Sequence, residues 1–378
     1  MTGCHVCTII PNRVLVRLLE KEKNPRKKMQ LLNHIKQSAG LRSKRAIAYN
    51  YAGVRNAIAA NLIRLKEKNI HFYDCKESHD LPLKPSFEIN ERYERKKKKP
   101  TPTRKLINTR EIDNMEKVYD FWHENFGRES FDAKSAVVKY YANYGKNYDN
   151  AFWDGENLTF GLGDPSYFNP FGRFIDVQGH ELGHAIIQYE ADLIYEGQSG
   201  ALNEHVADVF GITVKHWVEG KDVNSGSWSI AQGLWISSQG SDYRALRDMA
   251  SPGTSYPGDD QPAHMSEFYD GQEDNGGVHI NSGIPNKVFY LLCTGLEGNS
   301  WDKPLKISYQ TIKDQRVAGQ RTGFRPFAAA TYNVAKRKYD EATTNLVRLL
   351  ESSRASDISS FFSFYLSRSF VDSRIQLL

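Results

Sequence analysis

The 378-residue sequence contains no run of 18 or more consecutive apolar residues, so no transmembrane helix and no membrane partner are expected. Cysteine is scarce: Cys4, Cys7, Cys75 and Cys293 are too few and too scattered for a disulfide scaffold. Cys4 and Cys7 form a lone CxxC with no second pair, so a structural or incidental role is expected rather than zinc binding. Charge of one sign is also lacking, because 50 Lys and Arg stand against 45 Asp and Glu. Much of the small positive excess sits in "RKKKKPTPTRK" (95–105), where Pro-Thr-Pro favours a solvated linker over a nucleic-acid patch. The acidic "GDDQPAHMSEFYDGQEDN" (258–275) interrupts any longer basic surface, so no nucleic-acid partner is expected. No secretory signal is legible at the N-terminus, where Pro11, Asn12 and Arg13 break the short apolar stretch. The default expectation is cytoplasmic residence, with export by another route as the alternative.

A hydrophobic content of 40% and an aromatic content of 12% suit a folded chain, long enough for two sizeable domains or for one with a removable appendage. In residues 1–60 a helical period runs through Val14, Leu15, Leu18 and Leu19, then Met29, Leu31, Leu32 and Ile35. Strand signals ("SAVVKYYA", "NAFWDGENLTFG") flank one helical stretch, "INTREIDNMEKVYDFWHENFG", before residue 170. From Phe174 the pattern turns helical. "SGALNEHVADVFGITVKHWVEG" is expected to start at Ser199 as N-cap and stop at Gly220. "SDYRALRDM", "VHINSGIPNKVFYLLCTGL" and "GFRPFAAATYNVAKRKY" continue as helices, broken by a loop over 251–263. The expected class is α+β: a β-rich half, then a helical half.

The helical stretch "FIDVQGHELGHAIIQYE" carries His180, Glu181 and His184 amid apolar residues. On a helix, residues i and i+4 share a face, so His180 and His184 can present two imidazole nitrogens to one metal ion. Glu181 falls beside them, able to reach a metal-bound water without being a ligand. This is the HExxH pattern with its mechanism. A catalytic zinc takes a third protein ligand, and "NEHVAD" supplies Glu204 on the next apolar helix, where an unpaired carboxylate would be costly. Asp208, one turn on, can accept a hydrogen bond from the far ring nitrogen of His180 and so fix that imidazole.

The pair HELGH (180–184) and GALNEHVAD (200–208), with 19 residues between His184 and Glu204, resembles the thermolysin family of zinc endopeptidases. "NAFWDG" (150–155), "ADLIYEGQSGA" (191–201), "ALRDM" (245–249) and "DNGGVHINSGIPNK" (274–287) resemble its edge strand, helix linker, arginine segment and histidine segment, in family order. The resemblance covers residues 110–340 and implies a thermolysin-like α+β fold with zinc at the junction of the halves. It also implies roles: Tyr195 and His279 as oxyanion donors, Asp274 holding the His279 ring, and Arg247 on a substrate carbonyl just past the scissile bond. Asn150 and Ala151 would pair with the substrate backbone. Phe168, Phe171, Val177 and Leu246 match the pocket for the residue after the cut, so cleavage before bulky hydrophobic residues is implied. His205 and His216 match no ligand and are expected to be structural.

"CTIIPNRVLVRLLE" resembles the short propeptide of protealysin-like members, with Asn12 in place of a proline, and "IHFYDCKESHDLP" (70–82) resembles the start of their mature enzyme. The expected organisation is a propeptide over 1–60, acting as an inhibitor and ending between 45 and 65, a β-rich catalytic half over 61–175, a helical half over 176–350 and an atypical tail over 351–378. The family's double calcium site is not expected. Asp176 is retained there, but Lys215 stands at the next acidic position and would form an ion pair with it instead. Protein or peptide substrates are expected. Three alternatives remain at this point: a zinc aminopeptidase, a catalytically silent zinc-fold binding protein, and a nucleic-acid binder using residues 95–105.

Overall fold

The computed structural model of the chain describes residues 7–36, 67–92, 107–236, 239–318 and 321–351. The expected linker at 95–105, the propeptide end between 45 and 65, Cys4 and the tail after Glu351 lie outside them. Six strands form a mixed sheet in the spatial order β1-β5-β6-β4-β2-β3. They are β1 (Cys7–Thr8), β2 (Glu67–Asp74), β3 (Phe87–Arg92), β4 (Val138–Tyr144), β5 (Ala151–Trp153) and β6 (Leu158–Gly161). Strands β2, β4 and β6 run parallel, while β5 is antiparallel to β6. The edge beyond β5 is taken by β1, antiparallel, with Cys7 opposite Trp153 and Thr8 opposite Phe152.

After β1 the chain turns at Pro11 into α1 (Asn12–Lys21), whose Val14, Leu15 and Leu18 are buried. In the helical residues 25–36 (α2), Leu31 is buried, but Met29 and Leu32 are exposed at 58% and 37%. The expected apolar stripe is thus narrower than its periodicity suggests, because α2 lies at the surface and buries only the face holding Leu31 and His34.

Helix α3 (Thr109–Phe126) matches the expected helical stretch. Asn108 caps it by accepting from the Arg110 N–H, and Gly127 closes it at φ 59°. Helices α4 (Ile175–Glu190) and α5 (Gly197–Glu219) form the centre of the helical half. Glycines explain their close approach. A Cβ on Gly179 would sit 3.0 Å from the Gly211 Cα, and one on Gly183 would sit 3.1 Å from the Ala207 Cα. Helix α5 begins two residues earlier than Ser199. Gly197, at φ +55°, makes the turn that brings the Gly200 N–H onto the Glu196 carbonyl (3.1 Å), so Ser199 is buried inside the helix. Gly220 ends it in the left-handed region, as expected.

"SDYRALRDM" is not helical. Its Arg247–Asp248 is strand β8, paired with β7 (Ser229–Ile230). The Leu246 N–H donates to the Ile230 carbonyl and Arg247 is drawn inward to Asp208, so tertiary partners override the local pattern. Helices α6 (Glu273–Asn281), α7 (Gly283–Leu296), α8 (Lys303–Ile312), α9 (Phe324–Lys338) and α10 (Glu341–Glu351) complete the helical half. Among the described residues, no helix is long and apolar enough to cross a membrane.

Candidate active site

His180 and His184 lie on the buried face of α4, and Glu204 on the face of α5 turned towards it; all three side chains are inaccessible to solvent. One ligand atom from each falls within 4.8 Å of the others. His184 Nε2 is 3.3 Å from Glu204 Oε1, and His180 Nε2 is 3.6 Å from Oε2. Glu181 is equally buried on α4 but is not one of the three.

Each imidazole is held through its other nitrogen. His180 Nδ1–H donates to Asp208 Oδ1 (2.8 Å), and His184 Nδ1–H donates to Asn203 Oδ1 (2.8 Å). The Asn203 amide is fixed in that sense because its Nδ2 donates to the Leu193 carbonyl (3.1 Å). Both Nε2 lone pairs therefore point at one place, 2.9 Å apart. Two lone pairs so close repel each other unless a cation lies between them. Glu204 Oε2 is buried there without a hydrogen-bond partner. A His₂Glu donor set with oriented imidazoles fits zinc.

Charge around the cluster is balanced in layers. Burial alone would raise the Glu204 carboxyl, but His279 and His184 outweigh it and hold it well below its ordinary value. Asp208 gathers four donors: His180, Arg247 Nε (2.8 Å), Arg247 Nη2 (2.7 Å) and Asn286 Nδ2 (2.9 Å). Burial opposes its ionisation, yet Arg247 and His180 keep its pKa below the ordinary carboxylate range.

His279 Nδ1–H donates to Asp274 Oδ1 (2.7 Å), and the Asp274 Oδ2 accepts the His279 backbone N–H (2.7 Å). Burial pushes the His279 pKa down, but the Asp274 and Glu204 carboxylates more than offset this and leave it raised. Four successive left-handed residues place Asp274: φ is 55° there, 54° at Asn275, 79° at Gly276 and 75° at Gly277. Left-handed backbone at two non-glycine residues is a strained local choice that clusters at functional sites. The Tyr195 hydroxyl donates to Glu204 Oε1 and lies 3.2 Å from His279 Nε2.

The N-terminal strand crosses this site. The Thr8 carbonyl accepts from His279 Nε2 (2.7 Å), and the Ile9 carbonyl from Arg247 Nη1 (2.9 Å). The Ile9 N–H donates to the Ala151 carbonyl (3.1 Å). Asn150 clamps Ile10, accepting its N–H (2.9 Å) and donating to its carbonyl (2.9 Å). Phe168, Phe171, Val177 and Leu246 are buried in the main apolar core, which also takes in Ile9 and Ile10. Trp235, its ring 4.7 Å from that of Phe168, belongs there too and was not singled out from the sequence.

Asp176 and Lys215 do form an ion pair (3.2 Å), with the Lys215 ammonium also on the Ser229 carbonyl (3.0 Å). His205 bonds Asn286 and His216 bonds Ser300, and burial pushes both down to about 4. Sequence reasoning missed Asn203 and Asn286. Asn203 had a signal, standing next to Glu204 on the ligand-bearing face; Asn286 is remote in sequence and had none.

A model of the thermolysin metallopeptidase catalytic domain matches residues 56–188, and one of that family's alpha-helical domain matches residues 191–356. The chain is similar to an extracellular metalloprotease of Pectobacterium carotovorum subsp. carotovorum, 42% identical over 235 residues, covering 61% of this chain and 67% of that one. It is also similar to protease PrtS of a Photorhabdus species, 42% identical over 243 residues, covering 61% and 64%. Against thermolysin of Alicyclobacillus acidocaldarius, 41% identity extends over 52% of this chain but only 35% of that protein. The matches thus span about two thirds of the first two relatives and about a third of thermolysin. Among solved structures, the precursor of protealysin, a metalloproteinase from Serratia proteamaculans, superposes with a TM-score of 0.73. It is 32% identical and covers 91% of this chain and 98% of its own. The chain belongs to the thermolysin metallopeptidase family.

Proposed function

We propose that the chain is the precursor of a zinc-dependent endopeptidase whose own residues 7–10 occupy the place of substrate. His180, His184 and Glu204 would hold the metal, which when bound supplies Lewis acidity and a more acidic water. Glu181 takes a proton from the attacking water at its carboxylate and passes it to the leaving amine. The His279 imidazolium and the Tyr195 hydroxyl donate to the oxygen on which charge develops, with Asp274 fixing the ring. Ala151 and Asn150 grip the extended backbone by strand addition, and Arg247, itself locked on Asp208, donates to the next carbonyl. The apolar walls from Phe168, Phe171, Val177 and Leu246 favour a bulky hydrophobic residue after the cut.

The single observation that carries this reading is the polarity of the N-terminal strand. Thr8, Ile9 and Ile10 meet, in order, His279, Arg247 with Ala151, and Asn150. Those are the contacts a substrate needs, made by a segment that also blocks the site. Residues 1–60 are accordingly a removable inhibitory segment, its end falling between 45 and 65. The decisive experiment compares wild type and Glu181→Ala on a panel of hydrophobic peptides at matched zinc content. Loss of a general base should slow hydrolysis by about 10²–10⁴-fold; equal rates would dismiss the mechanism.

A further inference from the structure

The reactive bond within the blocking segment is identified by which carbonyl meets the ligand cluster. His279 Nε2, which holds the Thr8 carbonyl at 2.7 Å, is 3.5 Å from Glu204 Oε2 and 3.2 Å from the Tyr195 hydroxyl. The following carbonyl, that of Ile9, is already one residue past the cluster, on Arg247. The bond between these two carbonyls is Thr8–Ile9. Its amide nitrogen is oriented by donation to the Ala151 carbonyl, and the side chain after it, Ile9, is fully buried in the apolar cluster. Polarity, register and side chain all fit productive binding.

We propose that the full-length chain hydrolyses its own Thr8–Ile9 peptide bond. This rests on the endopeptidase reading above. Water adds to the Thr8 carbonyl carbon, giving up a proton to Glu181. The C–N bond then breaks, its electron pair passes to the Ile9 nitrogen, and that nitrogen takes the proton. The products are a Thr8 carboxylate and an Ile9 amine, with no change of oxidation state.

The cut does not by itself open the site. Residues from Ile9 onward keep the Arg247 and Asn150 bonds, the buried Val14, Leu15 and Leu18, and the ion pairs of Arg13 and Arg17 with Asp260. Among the described residues before the cut, Cys7 and Thr8 are held by pairing with β5 and by the Thr8 carbonyl on His279, so the severed residues 1–8 are free to depart. The outcome is a chain shortened by its first eight residues and still blocked, so this nick is separate from the removal of residues 1–60.

The test follows the intact mass and N-terminal sequence of the zinc-loaded full-length chain over time. A second aliquot, freed of its inhibitory segment by limited trypsin treatment, is assayed on hydrophobic peptides. We expect a chain beginning at Ile9, formed at a rate unchanged by tenfold dilution and at least about 100-fold slower in Glu181→Ala. Ile9→Val should still be cut there and Ile9→Asp should not. Residues 1–8 remaining attached while the trypsin-treated aliquot hydrolyses peptides would overturn this inference and leave the proposed function standing. A cut that slows in proportion to dilution, or that persists at the wild-type rate in Glu181→Ala, would also overturn it. Absence of both cutting and peptide hydrolysis would overturn the two together.

Discussion

Replacing Lys215 by methionine removes the cation facing Asp176 while keeping the length of the side chain. Asp176 is 2% exposed; its Oδ2 accepts from Lys215 (3.2 Å) and from the Ala231 N–H (2.9 Å). Lys215→Met therefore leaves a buried carboxylate with one neutral donor on that oxygen. Breaking a buried pair from one side costs about 3–5 kcal/mol, whereas replacing both partners by neutral groups of similar shape costs far less. Asp176→Asn should also be destabilising, since the buried ammonium would lose its opposite charge and keep only neutral oxygens such as the Ser229 carbonyl (3.0 Å). The Asp176→Asn/Lys215→Met double variant should lie within about 2 kcal/mol of wild type, a strongly non-additive cycle. Urea unfolding at constant zinc measures all four proteins by linear extrapolation. The same pair carries a further expectation: calcium at millimolar concentration should hardly move the wild-type melting temperature, because the Lys215 ammonium already neutralises Asp176. Additive single losses below about 1 kcal/mol each would refute the pairing, and a large calcium-dependent rise would refute the substitution of ion by lysine.

Three other outcomes are expected. Burial pushes the Glu111 carboxyl up to about 7, against smaller opposing effects of Tyr140 and Arg173. Its neutral form is favoured in the folded state, so this stabilisation is complete below the unfolded pKa near 4.5 and lost as pH rises through 7. Glu111→Gln should remove a stability decline of roughly 3 kcal/mol between those pH values, at about 1.4 kcal/mol per unit; an unchanged slope in urea titrations at several pH values would contradict it. Asn203→Ala frees the His184 ring from its orienting acceptor and should weaken zinc binding about 10–100-fold in chelator competition. Asp260→Ala removes the shared partner of Arg13 and Arg17. At an exposed site that is worth at most about 1 kcal/mol per pair, so activation of the precursor should quicken by less than about tenfold per pair, and less at high salt than at low.

The candidate metal ligands were legible because their chemistry is local: i,i+4 spacing on one helix and a carboxylate on the next apolar helix, and the structure brings the three side chains together. The Asp208–His180 contact followed from the need of a metal-bound imidazole for an acceptor at its far nitrogen, whereas the Asp176–Lys215 pair was implied by the family resemblance, which puts a lysine at an acidic position. Elements set by distant partners were not legible. The arginine segment became strand β8 because Arg247 turns inward to Asp208 and Leu246 bonds Ile230, which no local period encodes. The start of α5 was displaced by the backbone freedom of Gly197, which acts before the serine that looks like a cap. The resemblance to a propeptide implied an inhibitory N-terminal segment, but not the seating of Cys7–Ile10 against β5. The segment's register against His279, Arg247 and Asn150 depends on the assembled site.

The most direct measurement is X-ray anomalous scattering at the zinc edge from crystals of the full-length chain, with elemental analysis of the same preparation. We expect one zinc per chain, bonded to His180 Nε2, His184 Nε2 and a Glu204 carboxylate oxygen at about 2.0–2.2 Å. Correctly folded protein without metal, or zinc held elsewhere with those three side chains turned apart, would contradict the account.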